Sequence, residues 1–159
     1  MTLPFALAIA FGLGAAPGDD PAPPRDTRSV SSTSNNKDTG GVKIRFKLGG
    51  ATVTATLLDS RASRDFWSRL PLTLKMNDLF LREKYGHLPR PISEDGKRTR
   101  SYEIGDIAYW PPSSDLAVYY RHDGERIPEP GIIVLGRIDS GVETFAFSGS
   151  RTITIERVE

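Results

Sequence analysis

The sequence predicts a mainly β protein, an antiparallel sandwich or a small closed or nearly closed barrel of about eight strands, with one main helix. Three observations lead there. From residue 42 onward, apolar and polar residues alternate with period two in one short run after another, as half-buried strands require. Gly and Pro turn signals separate those runs at short intervals, the spacing of an all-β sandwich or barrel. The stretch Gly131–Gly141 (GIIVLGRIDSG) opens as a continuous apolar run, which belongs inside a sheet.

Ahead of the predicted barrel lie two other segments. Leu3–Ala16 (LPFALAIAFGLGAA) is apolar but too short to span a bilayer. The small residues Ala15, Ala16 and Gly18 precede Asp19 as at a cleavage point, so residues 1–18 read as a signal peptide. No Lys or Arg precedes the run, which makes the signal a weak one or places its basic part upstream of Met1. A loosely packed apolar tail is the alternative. Residues 19–41 are rich in Pro, Ser, Asp and Asn, with Val30 the one large apolar side chain. Such a segment cannot bury enough surface to offset its chain entropy and reads as a disordered linker. Residues 42–159 remain for the folded domain. The expected location is secreted or periplasmic, or cytoplasmic if the first segment is no signal, and no membrane span is expected in the mature protein.

Composition bounds the function. A chain 38% hydrophobic and 26% charged is globular. The formal net charge is +1, and setting aside residues 1–24, whose only charges are Asp19 and Asp20, leaves +3. The basic residues are scattered rather than striped, so no nucleic-acid partner is expected. There is no Cys, which excludes disulfides, thiolate catalysis and zinc–thiolate sites. With only His87 and His122, a multi-histidine metal site is excluded too, and no cofactor is expected. No Gly-x-Ser-x-Gly and no phosphate loop ending in Gly-Lys-Ser/Thr occurs, and Gly12-Leu-Gly14 sits in the signal-like segment.

The elements follow in order. Val42, Ile44, Phe46 and Leu48 alternate with Lys43, Arg45 and Lys47, one face buried and one wet. Gly49-Gly50 suits a two-residue type I′ hairpin turn, because both positions tolerate positive φ. The return strand sets Val53, Ala55 and Leu57 against Thr52, Thr54 and Thr56. Ser60 caps a helix running to about Leu70, with Ala62, Phe66 and Leu70 as the buried stripe and Arg61, Arg64, Asp65 and Arg69 outward. Pro71 stops it. Leu72–Met76 is a strand, and Leu79, Leu81 and Tyr85 suggest another. Residues 86–101 form a loop with Arg90 between Pro89 and Pro91. Gly105–Trp110 and Leu116–Tyr120 are strands joined by Pro111–Asp115, and 122–130 is a charged loop. After Gly131–Gly141 come a strand at Glu143–Phe147, a Gly149 turn and a closing strand at Thr152–Val158.

In sequence, the segments Ala55–Asp59 (ATLLD), Arg64–Phe66, Leu70–Leu74 (LPLTL), Glu83-Lys84, Leu88–Arg90 and Gly105–Ile107 with Tyr109, then Leu116-Ala117 with Tyr119 and Leu135–Gly141 (LGRIDSG), resemble the bacterial cyclophilin-like fold proteins. The resemblance spans nearly all of residues 42–158. It implies a small closed barrel of about eight strands, shaped like the cyclophilin peptidyl-prolyl isomerases, and no settled activity. True cyclophilins carry a Phe-His-Arg motif followed by Gln-Gly-Gly-Asp, and neither occurs here. Arg90 has no Phe-His before it, and His87 lies in an unrelated context. Isomerase activity is not expected on those grounds.

Six residues are candidates for binding a small molecule or peptide. Arg137 and Asp139 would share the face of Ile133 and Leu135, as the floor of a barrel mouth or as a structural ion pair. His87 and Arg90 stand on a Pro-bounded loop, where rigid barrels carry binding groups. Tyr109 and Tyr119, on strands that pair across Pro111–Asp115, would line a pocket or pack as core. None is a candidate catalytic residue. A divergent isomerase and a non-catalytic protein-interaction domain are the competing readings, and oligomeric state is not encoded.

Overall fold

The structure is a computed structural model that describes residues 41–159. The signal-like segment 1–18 and all of the linker except Gly41 lie outside the described residues.

Strands β1 (Lys43–Leu48) and β2 (Ala51–Leu57) form the expected hairpin, with Ile44, Phe46, Leu48, Val53, Ala55 and Leu57 buried. Of the two turn glycines only Gly49 takes a positive φ, so the turn is not the type I′ expected. Helix α1 (Arg61–Ser68) begins where Ser60 Oγ accepts the Ser63 N–H at 3.1 Å, and it buries Ala62 and Phe66. Strands β3 (Leu72–Leu79), β4 (Glu83–His87), β5 (Lys97–Thr99), β6 (Asp106–Trp110), β7 (Asp115–Tyr119), β8 (Ile132–Ile138) and β9 (Arg151–Arg157) follow.

Every pairing is antiparallel, in the order β2-β1-β9-β3-β4-β7-β6-β8, and β8 returns to β2. Among the described residues the result is a closed eight-stranded barrel with one α-helix. Closure leaves the long strands no open edge. The short β5 pairs with Ile132–Val134 of β8, next to the Gly136–Ile138 stretch that β2 occupies. Elements outside the sheet help fill the barrel interior: α1 contributes Phe66, and the 3-10 turn Val142–Phe145 contributes Phe145, edge-on to Phe46 with centroids 5.4 Å apart. Each such ring, fully buried, stabilises by about 1.5–3 kcal/mol.

Four expectations need correction. Glu143–Phe147 is no strand, because Val142–Phe145 winds into a 3-10 turn that buries Phe145 and leaves Phe147 half-buried. Leu79–Leu81 does not begin a strand: Leu79 ends β3 and Phe80–Leu81 is a turn. The 86–101 loop contains β5, whose polar sequence carries no strand pattern and which covers the Ile132–Val134 part of β8 beyond the β2 pairing. The alternation in β8 is also broken. Ile107 pairs with Gly136 and Ala108 with Val134, so Leu135 is an extra, bulged residue. Ile133, Leu135 and Ile138 all reach the core, and Arg137 turns outward.

Candidate functional site

Side chains on β4, β7 and β6 alternate between two apolar environments. Leu116, Val118, Ile107 and Tyr109 belong to the barrel interior. Ala117, Tyr119 and Ala108 face the other way into a second cluster with Tyr102, Ile127 and Ile132, against which Tyr85 and Trp110 pack. On that outer face lies a pocket of about 320 Å³ lined by Glu83, Tyr85, Trp110, Asp115, Ala117 and Tyr119. Leu79, Phe80 and Arg82 from the β3–β4 turn, Ser113, and Ile127 and Pro128 of the loop after β7 complete its wall.

The polar groups here are organised around two buried, opposite charges. Arg82 Nε reaches Glu83 Oε2 at 3.3 Å and its Nη1 reaches Asp123 Oδ2 at 3.0 Å. The Arg82 guanidinium also lies over the rings of Phe80 (5.2 Å) and Tyr102 (5.6 Å). Tyr102 donates to Asp123 Oδ1 at 3.0 Å and stacks on Tyr119, centroids 4.2 Å apart. Burial lifts the Glu83 carboxyl above its ordinary 4.5, against the pull of Tyr119 and Arg82, and burial beside Glu83 lifts the Tyr119 hydroxyl as well. A carboxyl in an aromatic pocket with an elevated pKa is a common mark of a functional site.

That elevation has a sign. The folded protein holds the Glu83 proton more tightly than the unfolded chain, so stability falls as pH rises from about 4.5 through the folded-state pKa. Glu83→Gln is expected to flatten this limb of the stability–pH curve. The lowered carboxyls of Asp65, Asp78 and Asp139 act oppositely, losing their stabilisation as pH falls through and below 3.8. Urea midpoints of both proteins from pH 3 to 8 check this. Equal slopes above pH 4.5 would refute it.

The pocket rim is strained. Phe80 and Leu81 occupy both central positions of the turn that the Arg82 N–H closes onto Leu79 C=O at 3.2 Å, with φ of 55° and 53°. That left-handed conformation suits Asn-Gly, yet two large apolar residues fill it with 69% and 65% of their surface exposed. Asp78 Oδ1 steadies the turn by accepting the Leu81 N–H at 2.9 Å. The double change Phe80→Asn, Leu81→Gly is expected to raise stability by about 1–2 kcal/mol, since it removes strain and exposed apolar surface. Thermal unfolding measures it, and a lowered Tm would mean that the tip packs more than it strains.

On the inner side of β4 the Lys84 side chain is fully buried. Its Nζ donates to Asp78 Oδ2 and to the Phe147 carbonyl, each at 2.5 Å, and sits 4.2 Å from the Phe147 ring centroid. Tyr120 donates to the same Asp78 oxygen at 2.5 Å, and burial with that bond pushes its hydroxyl up to about 12.

The six expected residues are not gathered in one place. Tyr119 lines the pocket, whereas Tyr109 packs in the barrel interior with its hydroxyl 3.3 Å from Ser114 Oγ. The register pairs Tyr109 with Leu116, which places Tyr109 and Tyr119 on opposite faces. His87 is exposed at the end of β4, its Nδ1 3.3 Å from Asp115 Oδ1. Arg90 is exposed, and its carbonyl accepts from Arg69 Nη1 at 3.0 Å. Arg137 braces Asp106 Oδ1 through Nε (3.1 Å) and Nη2 (2.8 Å) and lines a second, more polar hollow with Lys97 and Glu103. Asp139 does not meet Arg137. It accepts from Thr56 at 2.6 Å and Lys43 at 2.9 Å, and these bonds hold its carboxyl low although burial alone would raise it.

Arg82, Glu83 and Asp115 were not among the expected residues. A signal for the first two was present: Arg82-Glu83-Lys84 puts three consecutive charges directly before Tyr85, and a strand there cannot turn Glu83 and Lys84 to the same face.

A family model described as the cyclophilin-like family matches residues 46–156. Among solved structures, the chain is similar to the solution structure of the hypothetical protein AF2241 from Archaeoglobus fulgidus, with a TM-score of 0.61 and 19% identity. That likeness covers 75% of this chain and 96% of the other, and at such identity it is one of fold. No curated protein matches.

Proposed function

The chain belongs to the cyclophilin-like family, and from that premise we propose that its barrel binds a small molecule or peptide in the outer-face pocket and is not a prolyl isomerase. One observation carries the reading. An aromatic-lined hollow holds a buried carboxyl with a raised pKa beneath a strained apolar rim, and such a combination costs stability that packing alone does not require. The absence of the Phe-His-Arg and Gln-Gly-Gly-Asp motifs supports the second half of the proposal. Export to the periplasm or exterior is part of the same reading, supported by residues 3–16 and checked by N-terminal sequencing of the mature protein.

The test is a titration of the full chain with a panel of prolyl peptides, small acids, small amines and flavins. Trp110 fluorescence and the amide signals of Tyr85 and Ala117 report on the pocket. At least one class should perturb those signals saturably. A panel that leaves them all unmoved sinks the binding reading, and acceleration of proline-peptide isomerisation above the uncatalysed rate sinks the rest.

A further inference from the structure

The outer-face pocket is aromatic and acidic at once. Phe80, Tyr85, Trp110 and Tyr119 supply four rings, and Glu83 and Asp115 supply two carboxyls. Its single basic lining residue, Arg82, is already engaged by Asp123 at 3.0 Å and Glu83 at 3.3 Å. The lining charges therefore sum to −1 when both carboxyls are ionised. The Arg82 guanidinium rests 5.2 Å from the Phe80 centroid, so one of the rings already holds a cation within the fold itself.

The geometry points to an organic cation as the ligand: an amine or quaternary ammonium on a compact apolar body. This rests on the binding reading above and narrows it to a chemical class. A neutral apolar ligand would bring neither carboxyl a charge-assisted partner, so it draws nothing from the acidic half of the lining. An anion would meet two carboxyls. A cation gains a charge-assisted contact with Glu83 or Asp115 while lying among the aromatic side chains of the lining. A volume of about 320 Å³ lies at the small end of ligand pockets and suits a single-ring ligand better than a long peptide.

The experiment titrates the full chain with benzylammonium, benzyl alcohol and benzoate, three ligands that share one body and differ in charge. The amide of Ala117 reports binding at the pocket. Benzylammonium should bind roughly tenfold or more tightly than benzyl alcohol, and benzoate most weakly. Glu83→Gln and Asp115→Asn, each checked for folding by circular dichroism, should cut the preference for ammonium over alcohol several-fold. Asp115 stands apart from the Arg82–Glu83 pair, so its variant decides the matter if Glu83→Gln does not fold. Equal binding of alcohol and ammonium, or a preference that survives in the folded variants, overturns the charge assignment and leaves the pocket reading intact. Failure of all three compounds to move Ala117 overturns the charge assignment, and the pocket reading then stands or falls with the wider panel.

Discussion

Replacing Lys84 with methionine is expected to destabilise the protein by about 2–4 kcal/mol, because the part-buried Asp78 loses its cation and the Phe147 carbonyl its donor. Methionine keeps the length of the side chain and most of its packing, so the loss reports on charge. Asp78 would keep the Tyr120 hydroxyl and the Leu81 N–H but lose its cation, and the Phe147 carbonyl would lose its donor. A domain of this size has only about 5–15 kcal/mol in hand, so the variant should unfold far earlier in urea. Adding Asp78→Asn to Lys84→Met should recover part of the loss, because the stranded carboxylate disappears. A shift below 1 kcal/mol, or no recovery in the double variant, would show that the pair is not what holds this end of the barrel.

Gly136→Ala is expected to cost about 2–3 kcal/mol by prying apart the seam at which the barrel closes. Gly136 pairs with Leu57 across β2 and β8, and a Cβ there would meet the Thr56 carbonyl oxygen at 2.5 Å and Leu57 Cα at 2.9 Å. Both are backbone atoms, so no rotamer change relieves the clash. Gly50→Ala is the control, because a Cβ at Gly50 meets nothing within 4 Å and its φ is not positive. Hydrogen exchange should accelerate at the Leu58 amide, which bonds the Leu135 carbonyl across the same seam at 2.8 Å. If Gly136→Ala unfolds at the same denaturant concentration as the Gly50 variant, the seam is more compliant than these distances allow.

Both predictions fall on residues whose importance was only half visible beforehand. Gly136 stands inside the run that marks β8, and Glu83-Lys84 is part of the family resemblance, yet neither signal carries a structural or functional role by itself. A two-residue motif shows that a position is characteristic. It does not show which way the side chain points. Tyr119 was identified as a possible pocket residue and does line the pocket, while its companion Tyr109 faces the core, a distinction set by the β6–β7 register. Arg137 was assigned to the inner face by unbroken alternation, and the single bulged residue Leu135 reverses that assignment.

By itself, the sequence determined a mainly β chain of short strands, the first hairpin, the Ser60-capped helix and the buried strand in Gly131–Gly141. These follow from periodicity, turn chemistry and capping, which act over a few residues and so are written locally. Only the tertiary structure decided where the site lies. The pocket takes residues from β4, β6 and β7, from the β3–β4 turn and from the loop after β7, and their convergence depends on strand order and register across a closed sheet. The burial of Glu83 and Lys84 on β4, and of Arg82 in the turn before it, is decided in the same way, because it depends on what packs against each face of that strand.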